Sequence, residues 1–195
     1  MSYIEILILR RLRSGPAHGY ELRKRVEETT GFVLHNNSLY PALRRFEEAG
    51  AVTKTAEPQQ GRPPRLVYTL TEVGHELLHD MLAELPPEQA ADGGEFLARL
   101  GQFSLLSPSE RTSVLAARTR AVRAQLAHFE TMRDLAVAHG EHWGALATSE
   151  LIRRHQQELA WLAGLGELAA QPEPAGPAPA PELGAGPPAE RRTEP

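Results

Sequence analysis

One stretch limits this chain more than any other: a short amphipathic helix followed at once by two short strands. In Asn36 to Gly50, Leu39, Leu43 and Phe46 recur at i, i+4 and i+7 and so share one face, while Ser38, Arg44 and Arg45 point roughly the opposite way. Asn37 or Ser38 is predicted to cap this helix. Pro41 fits near such a start, and Gly50 supplies a left-handed stop. One side is core and the other is offered outward with two guanidiniums and a hydroxyl, chemistry suited to phosphates and base edges. The next segments, Val52 to Ala56 and Arg65 to Leu70, read as strands joined by a Pro- and Gly-rich connector over 57–64. A helix followed by a basic-tipped hairpin predicts a winged helix.

These blocks resemble the PadR family of bacterial transcriptional regulators. The residues that carry the resemblance are Leu39-Tyr40-Pro41-Ala42-Leu43, then Glu47-Glu48-Ala49-Gly50, then Tyr68-Thr69-Leu70-Thr71-Glu72-Val73-Gly74 beyond the wing. Gly15-Pro16-Ala17-His18-Gly19-Tyr20 also resembles the glycine-tyrosine opening of the family's positioning helix. Phe46 stands where the family usually has leucine, a change on the core face only. The resemblance implies a mainly α protein with an amino-terminal winged helix-turn-helix and two-stranded wing, plus a carboxy-terminal all-α dimerisation domain. It implies a repressor that binds a palindromic operator as a homodimer and is released by a small-molecule effector. The candidate DNA-binding residues are Asn37, Ser38, Tyr40 and Arg44 in the groove, with Arg45 on phosphate and Arg62 and Arg65 from the wing.

Composition narrows the classes. Cysteine is absent, so no disulfide framework is available and a cytoplasmic setting is expected. The apolar run Ile4 to Leu9 is too short to span a bilayer and meets Arg10 and Arg11 at once, so no membrane association is expected. A net charge of −4 excludes a general polyanion binder. Any DNA contact must come from a local patch, and residues 20–65 carry eight Lys or Arg against six Glu.

The first helix is predicted over Ser2 to Arg13 with Ile4, Leu7, Ile8 and Leu12 inward, and the second from His18 or Gly19 to just before Gly31. After the wing, Thr71 caps a helix predicted to reach Leu85, where Pro86-Pro87 halts it. Within it His75-Glu76-Leu77-Leu78-His79 spells H-E-x-x-H, the signature of a zinc metallohydrolase. Leu77, Leu78, Met81, Leu82 and Leu85 set the buried stripe, however, which leaves both histidines and Glu76 facing water. No metal, cofactor or enzymatic activity is therefore expected.

A second unit is predicted from 88 to 170, following an amino-terminal domain over 1–87. A short helix runs from Glu95 to Leu106, and Ser107-Pro108-Ser109-Glu110 forms a capping box for a helix reaching Ala138, roughly 45 Å at ~1.5 Å per residue. A last helix runs from Trp143 or Ala145 to Leu168. Leu115, Val122 and Phe129 recur every seven residues, and Leu159 and Leu162 lie on the apolar side of the last helix. This pattern suits an intramolecular hairpin and, in addition, a second copy of the chain. Trp161 could line an effector cavity or pack in an interface. From 171 to 195 repeated proline predicts a disordered tail. A helical adaptor that dimerises without binding DNA remains a further reading.

Overall fold

The computed structural model describes residues 3–30, 34–59 and 62–172. Phe32 and the tail from 173 onward lie outside the described residues.

Helix α1 (Tyr3–Arg13) is central, packing against α2 (Gly19–Thr30), α4 (Glu72–Ala83), α6 (Gly93–Leu100) and the sheet. Its burial is wider than the predicted stripe: Ile6 and Leu9 are as inaccessible as Ile8, while Ile4 is only half-buried. A helix apolar on most of its circumference is one that is surrounded. Between α1 and α2 the chain forms a two-residue strand, β1 (Ala17–His18), that pairs antiparallel with β3 (Arg62–Leu70). The sheet therefore has three strands, in the order β1-β3-β2, where β2 is Val52–Gln59.

The wing is longer than expected, because strand pairing runs through most of the predicted connector, from Val52↔Leu70 out to Gln59↔Arg62. The prolines are accommodated locally. Pro58 falls where the register shifts between Glu57 and Gln59, and β1 pairs only with Val67 and Tyr68, so the proline-bearing start of β3 meets no strand on that side among the described residues.

Helix α3 (Asn36–Glu48) begins before either residue expected to cap it. His35 is the N-cap and makes no side-chain cap bond, whereas Asn37 and Ser38 already lie in the first turn. The preceding residue sets this start. Buried Leu34 donates its N–H to Glu27 Oε1 at 3.0 Å, and the first helical bonds then run from Ser38 and Leu39 to the His35 carbonyl. Pro41 thus sits inside the helix on its exposed face, where water can reach the carbonyl one turn earlier that proline cannot serve. Gly50, at φ +72°, makes the left-handed exit.

Thr71 caps α4 by accepting the N–H of Gly74 at 3.1 Å, and the same hydroxyl donates to the Gly50 carbonyl at 2.7 Å. A side chain at Gly74 would place its Cβ 2.1 Å from the Ala51 carbonyl oxygen, so only glycine lets α4 approach this corner. The end of α3, the root of β2 and the start of α4 are thereby tied into one joint.

The turn α5 (Pro87–Ala90) leads to α6, which stops at Gly101 rather than running to Leu106; a 3-10 turn, Phe103–Leu105, follows. Helices α7 (Pro108–Ala138) and α8 (His142–Ala169) form an antiparallel hairpin about Gly140, at φ +72°. The capping box at Ser107 and Glu110 is present as predicted. Two apolar cores result. One gathers α1 to α4 and the sheet together with Leu106, the other gathers Phe96, Val114, Leu115, Val122 and Leu162, and Phe103 packs against both.

Candidate nucleic-acid interface

The buried face of α3 is Leu39, Ala42, Leu43 and Phe46. The opposite face brings Asn37, Ser38, Tyr40 and Arg44 to the surface together. Tyr40 is steadied by α2, since a Cβ on Gly19 would lie 3.2 Å from its ring and hydroxyl; glycine is what permits the ring to rest there. Arg44 reaches into solvent with its side chain 80% exposed, but its Nε donates to Glu48 Oε1 at 2.8 Å. The Glu48 hydrogen bond and charge raise its already high pKa, so it stays cationic.

Arg45 is exposed as well, with its side chain 58% accessible, but it is not directed straight outward as Arg44 is. It turns back to α1, where its Nη2 donates to Glu5 Oε1 at 2.5 Å, and the Glu5 side chain is only 5% exposed. The helical face alone, from which Arg45 is expected to lie on phosphate, does not reveal this link to α1. A buried carboxylate holds a neighbouring guanidinium strongly, because an unpaired charge in that position is costly.

On the wing, Arg65 is exposed and faces Glu57 across the strand pair, while the Arg62 side chain lies outside the described residues. Three further groups join the surface. Lys54 Nζ donates to Glu47 Oε2 at 2.8 Å, which raises the lysine pKa; exposed Tyr20 carries the Arg23 guanidinium 5.4 Å from its ring centre; and His18 Nδ1 lies 3.2 Å from the Leu66 carbonyl oxygen. His18, Tyr20, Tyr40, Arg65, Leu66 and Tyr68 border a cleft of about 400 Å³ between α3, the wing and the start of α2. Burial pushes the Tyr68 hydroxyl pKa up, keeping it a neutral donor. The Gly19-Tyr20 pair was visible in the sequence, but a two-residue strand that brings His18 to the wing leaves no periodic signal.

In the carboxy-terminal helices, Leu115, Val122 and Leu162 are buried inside the protomer, and Leu159 is partly buried against them. Phe129 is half-buried, with its ring 5.1 Å from that of His155. Their seven-residue spacing thus describes the packing of α7 on α8. Trp161 meets the buried Phe96 edge-on at 6.0 Å and is 44% exposed. Three arginines are also buried here. Arg118 binds Glu158 Oε1 and the Ala90 carbonyl, Arg111 the Phe103 carbonyl, and Arg99 the Glu84 carbonyl and Glu95.

His75, Glu76 and His79 are all exposed on α4, and His79 Nε2 lies 3.4 Å from Glu110. Among the described residues no three His, Asp or Glu gather in a geometry that could hold a metal ion. No helix among them is long and apolar enough to cross a membrane.

The sequence model of the transcriptional regulator PadR-like family matches residues 8–80, the span from α1 to α4. The negative transcriptional regulator PadR of Bacillus subtilis is 24% identical over 174 residues, covering 83% of this chain and 94% of that protein. A crystal structure of a PadR family transcription regulator from hypervirulent Clostridium difficile is 32% identical, covering 40% of this chain and 82% of that one, with a TM-score of 0.38. The crystal structure of Bacillus subtilis PadR in complex with operator DNA is 22% identical, covering 86% of this chain and 98% of that one, with a TM-score of 0.42. The matched span holds every block that makes the outward face of α3, its joint to α4 and the wing, and the chain belongs to the PadR-like family of transcriptional regulators.

Proposed function

We propose that this protein is a homodimeric repressor that lays α3 in the major groove of duplex DNA. The observation that carries the reading is the outward face of α3, where Ser38, Tyr40 and Arg44 stand exposed above a fully buried opposite face and beside a wing bearing Arg65. A helix of this size fits the major groove, an arginine there can make two parallel hydrogen bonds to guanine, and wing cations suit the neighbouring backbone. Repression is supported by the name of the Bacillus subtilis relative, a negative regulator matched along nearly its whole length. The protein works on cytoplasmic DNA, without catalysis, and a small molecule releases it by binding the DNA-competent and DNA-incompetent states unequally.

The second copy is supported by what the α7–α8 hairpin leaves uncovered. Leu115, Val122 and Leu162 are already consumed within the protomer. Leu135, Val137, Trp143, Leu146 and Leu151 remain exposed at and beside its distal end, and Trp143 is 81% exposed. Apolar surface concentrated in this way marks an interface. The hairpin then sets the separation of two α3 helices, and the operator is an inverted repeat.

Selection from a random pool of duplexes tests the reading. An enriched inverted repeat, bound more weakly as salt rises and more weakly by Arg44→Ala, is the expected result. A pool that stays unenriched, or binding indifferent to Arg44, contradicts it.

A further inference from the structure

We propose that Glu5 and Glu95 are positioning residues for DNA binding, joined through the first turn of α1 into a strut that sets where α3 stands relative to the carboxy-terminal helices; the inference rests on the DNA-binding reading above. At one end Glu95, buried on α6, accepts the N–H of Tyr3 on Oε1 at 2.6 Å and the Arg99 guanidinium on Oε2 at 2.8 Å. Arg99 in turn donates to the Glu84 carbonyl at 2.8 Å and to Gln89 Oε1 at 2.7 Å, so this carboxylate is fixed to the connector between α4 and α6. Two residues further along α1, the buried Glu5 carboxylate holds Arg45 of α3.

Little can yield between the two ends. Tyr3 and Glu5 are half a turn apart in one helix, and each carboxylate is buried, where its charge cannot be handed to water. Movement of α6 against the amino-terminal core must therefore carry α3 with it or break one of these bonds. Arg45, whose neighbour Arg44 pairs within α3 to Glu48, is the residue of α3 that this link holds. The strut is thus a discrete element with two arrangements, intact or broken, which is what coupling between distant sites requires.

The first residue of α1 allows a clean test. Tyr3→Pro deletes the N–H that Glu95 accepts at a helical position where proline is well tolerated, whereas Tyr3→Ala removes the same ring and keeps the N–H. The probe is a duplex selected from a random pool by the wild-type protein, with folding of each variant verified by circular dichroism. Tyr3→Pro should bind roughly tenfold more weakly than Tyr3→Ala, and Glu5→Gln should lose a similar factor. Adding Glu5→Gln to Tyr3→Pro should cost nothing more, since both cut the same link. All should keep the wild-type salt dependence, because no phosphate contact is lost. Without DNA, amide exchange along α3 should rise in Tyr3→Pro and Glu5→Gln but not in Tyr3→Ala. Equal affinity and exchange in the Pro and Ala variants overturn the proposal, as do independent, multiplying effects. A salt slope about one unit shallower in Arg45→Ala would make Arg45 a phosphate contact and also overturns it. If the wild-type protein retains no duplex, the DNA reading fails while the exchange measurement still decides the strut.

Discussion

The guanidinium of Arg45 on α3 lies 2.5 Å from the carboxylate of Glu5 on α1, joining two residues forty positions apart. The Glu5 side chain is almost wholly buried whereas that of Arg45 is more than half exposed, so the bond neutralises a charge inside the protein with one drawn from its surface. Arg45→Ala takes the guanidinium away from that buried carboxylate and should cost about 2 kcal/mol, below the usual loss for a fully buried pair because water can enter from the arginine side. Glu5→Gln should cost less, as the amide carries no charge to strand. Urea denaturation of the two variants checks the order, and a larger loss in Glu5→Gln contradicts it.

Glycine at 74 is required by the approach of α4 to the Ala51 carbonyl. Gly74→Ala should destabilise the protein by about 1–3 kcal/mol through overpacking against backbone. The same substitution at Gly164, which has open space around its Cβ position and lies within α8, should stabilise the helix by about 1 kcal/mol. Thermal unfolding of both variants reads the contrast.

Much of this architecture is legible in the residues. The left-handed stop at Gly50, the Thr71 cap and the Ser107–Glu110 capping box each depend on neighbours in the chain, and each is present. The start of α3 is not legible in the same way, because it depends on Leu34 bonding to Glu27 of the preceding helix, a contact that no local capping rule contains. Glu5 left a usable signal. It lies at i relative to Leu9 and Leu12 at i+4 and i+7, an acid on an apolar stripe, and such a residue needs a partner that only the fold can name. The seven-residue spacing of Leu115, Val122 and Phe129 is equally consistent with packing inside a protomer or between two, and the structure uses Leu115 and Val122 inside.

The capping box gives a pH dependence with a definite sign. Hydrogen bonds from the Ser107 side chain and backbone hold the Glu110 carboxyl below its usual range. A group whose pKa is lower in the folded state contributes stability above its unfolded pKa, near 4.5, and loses that contribution as pH falls through the folded value. The unfolding temperature of the wild type should therefore fall more between pH 6 and 3 than that of Glu110→Gln. Parallel pH profiles would show that the carboxylate is not held in solution.

Arg118 is buried in the carboxy-terminal unit, bonded to Glu158 at 2.7 Å and to the Ala90 carbonyl at 2.8 Å. Arg118→Ala should cost about 3 kcal/mol, as it strands the carboxylate, leaves the Ala90 carbonyl unserved and opens a cavity between α5 and α7. Guanidinium denaturation measures it, and a loss well under ~1 kcal/mol would show that water replaces the arginine without penalty.

Covering of the distal hairpin by a second chain is tested by Trp143→Asp combined with Leu146→Asp, two exposed positions whose change leaves the protomer core intact. Light scattering on the eluting protein should move from a dimer mass to a monomer mass with helical content unchanged. A dimer that survives places the interface elsewhere.

Two copies of α3, held at a fixed distance, should enter the major groove of one duplex. Hydroxyl-radical footprinting on the selected duplex measures this directly. Two protected patches related by the inverted repeat are expected, with centres about 10 base pairs or a multiple of that apart, both lost together in Arg44→Ala. A single continuous patch without symmetry, or protection that persists without Arg44, would contradict it.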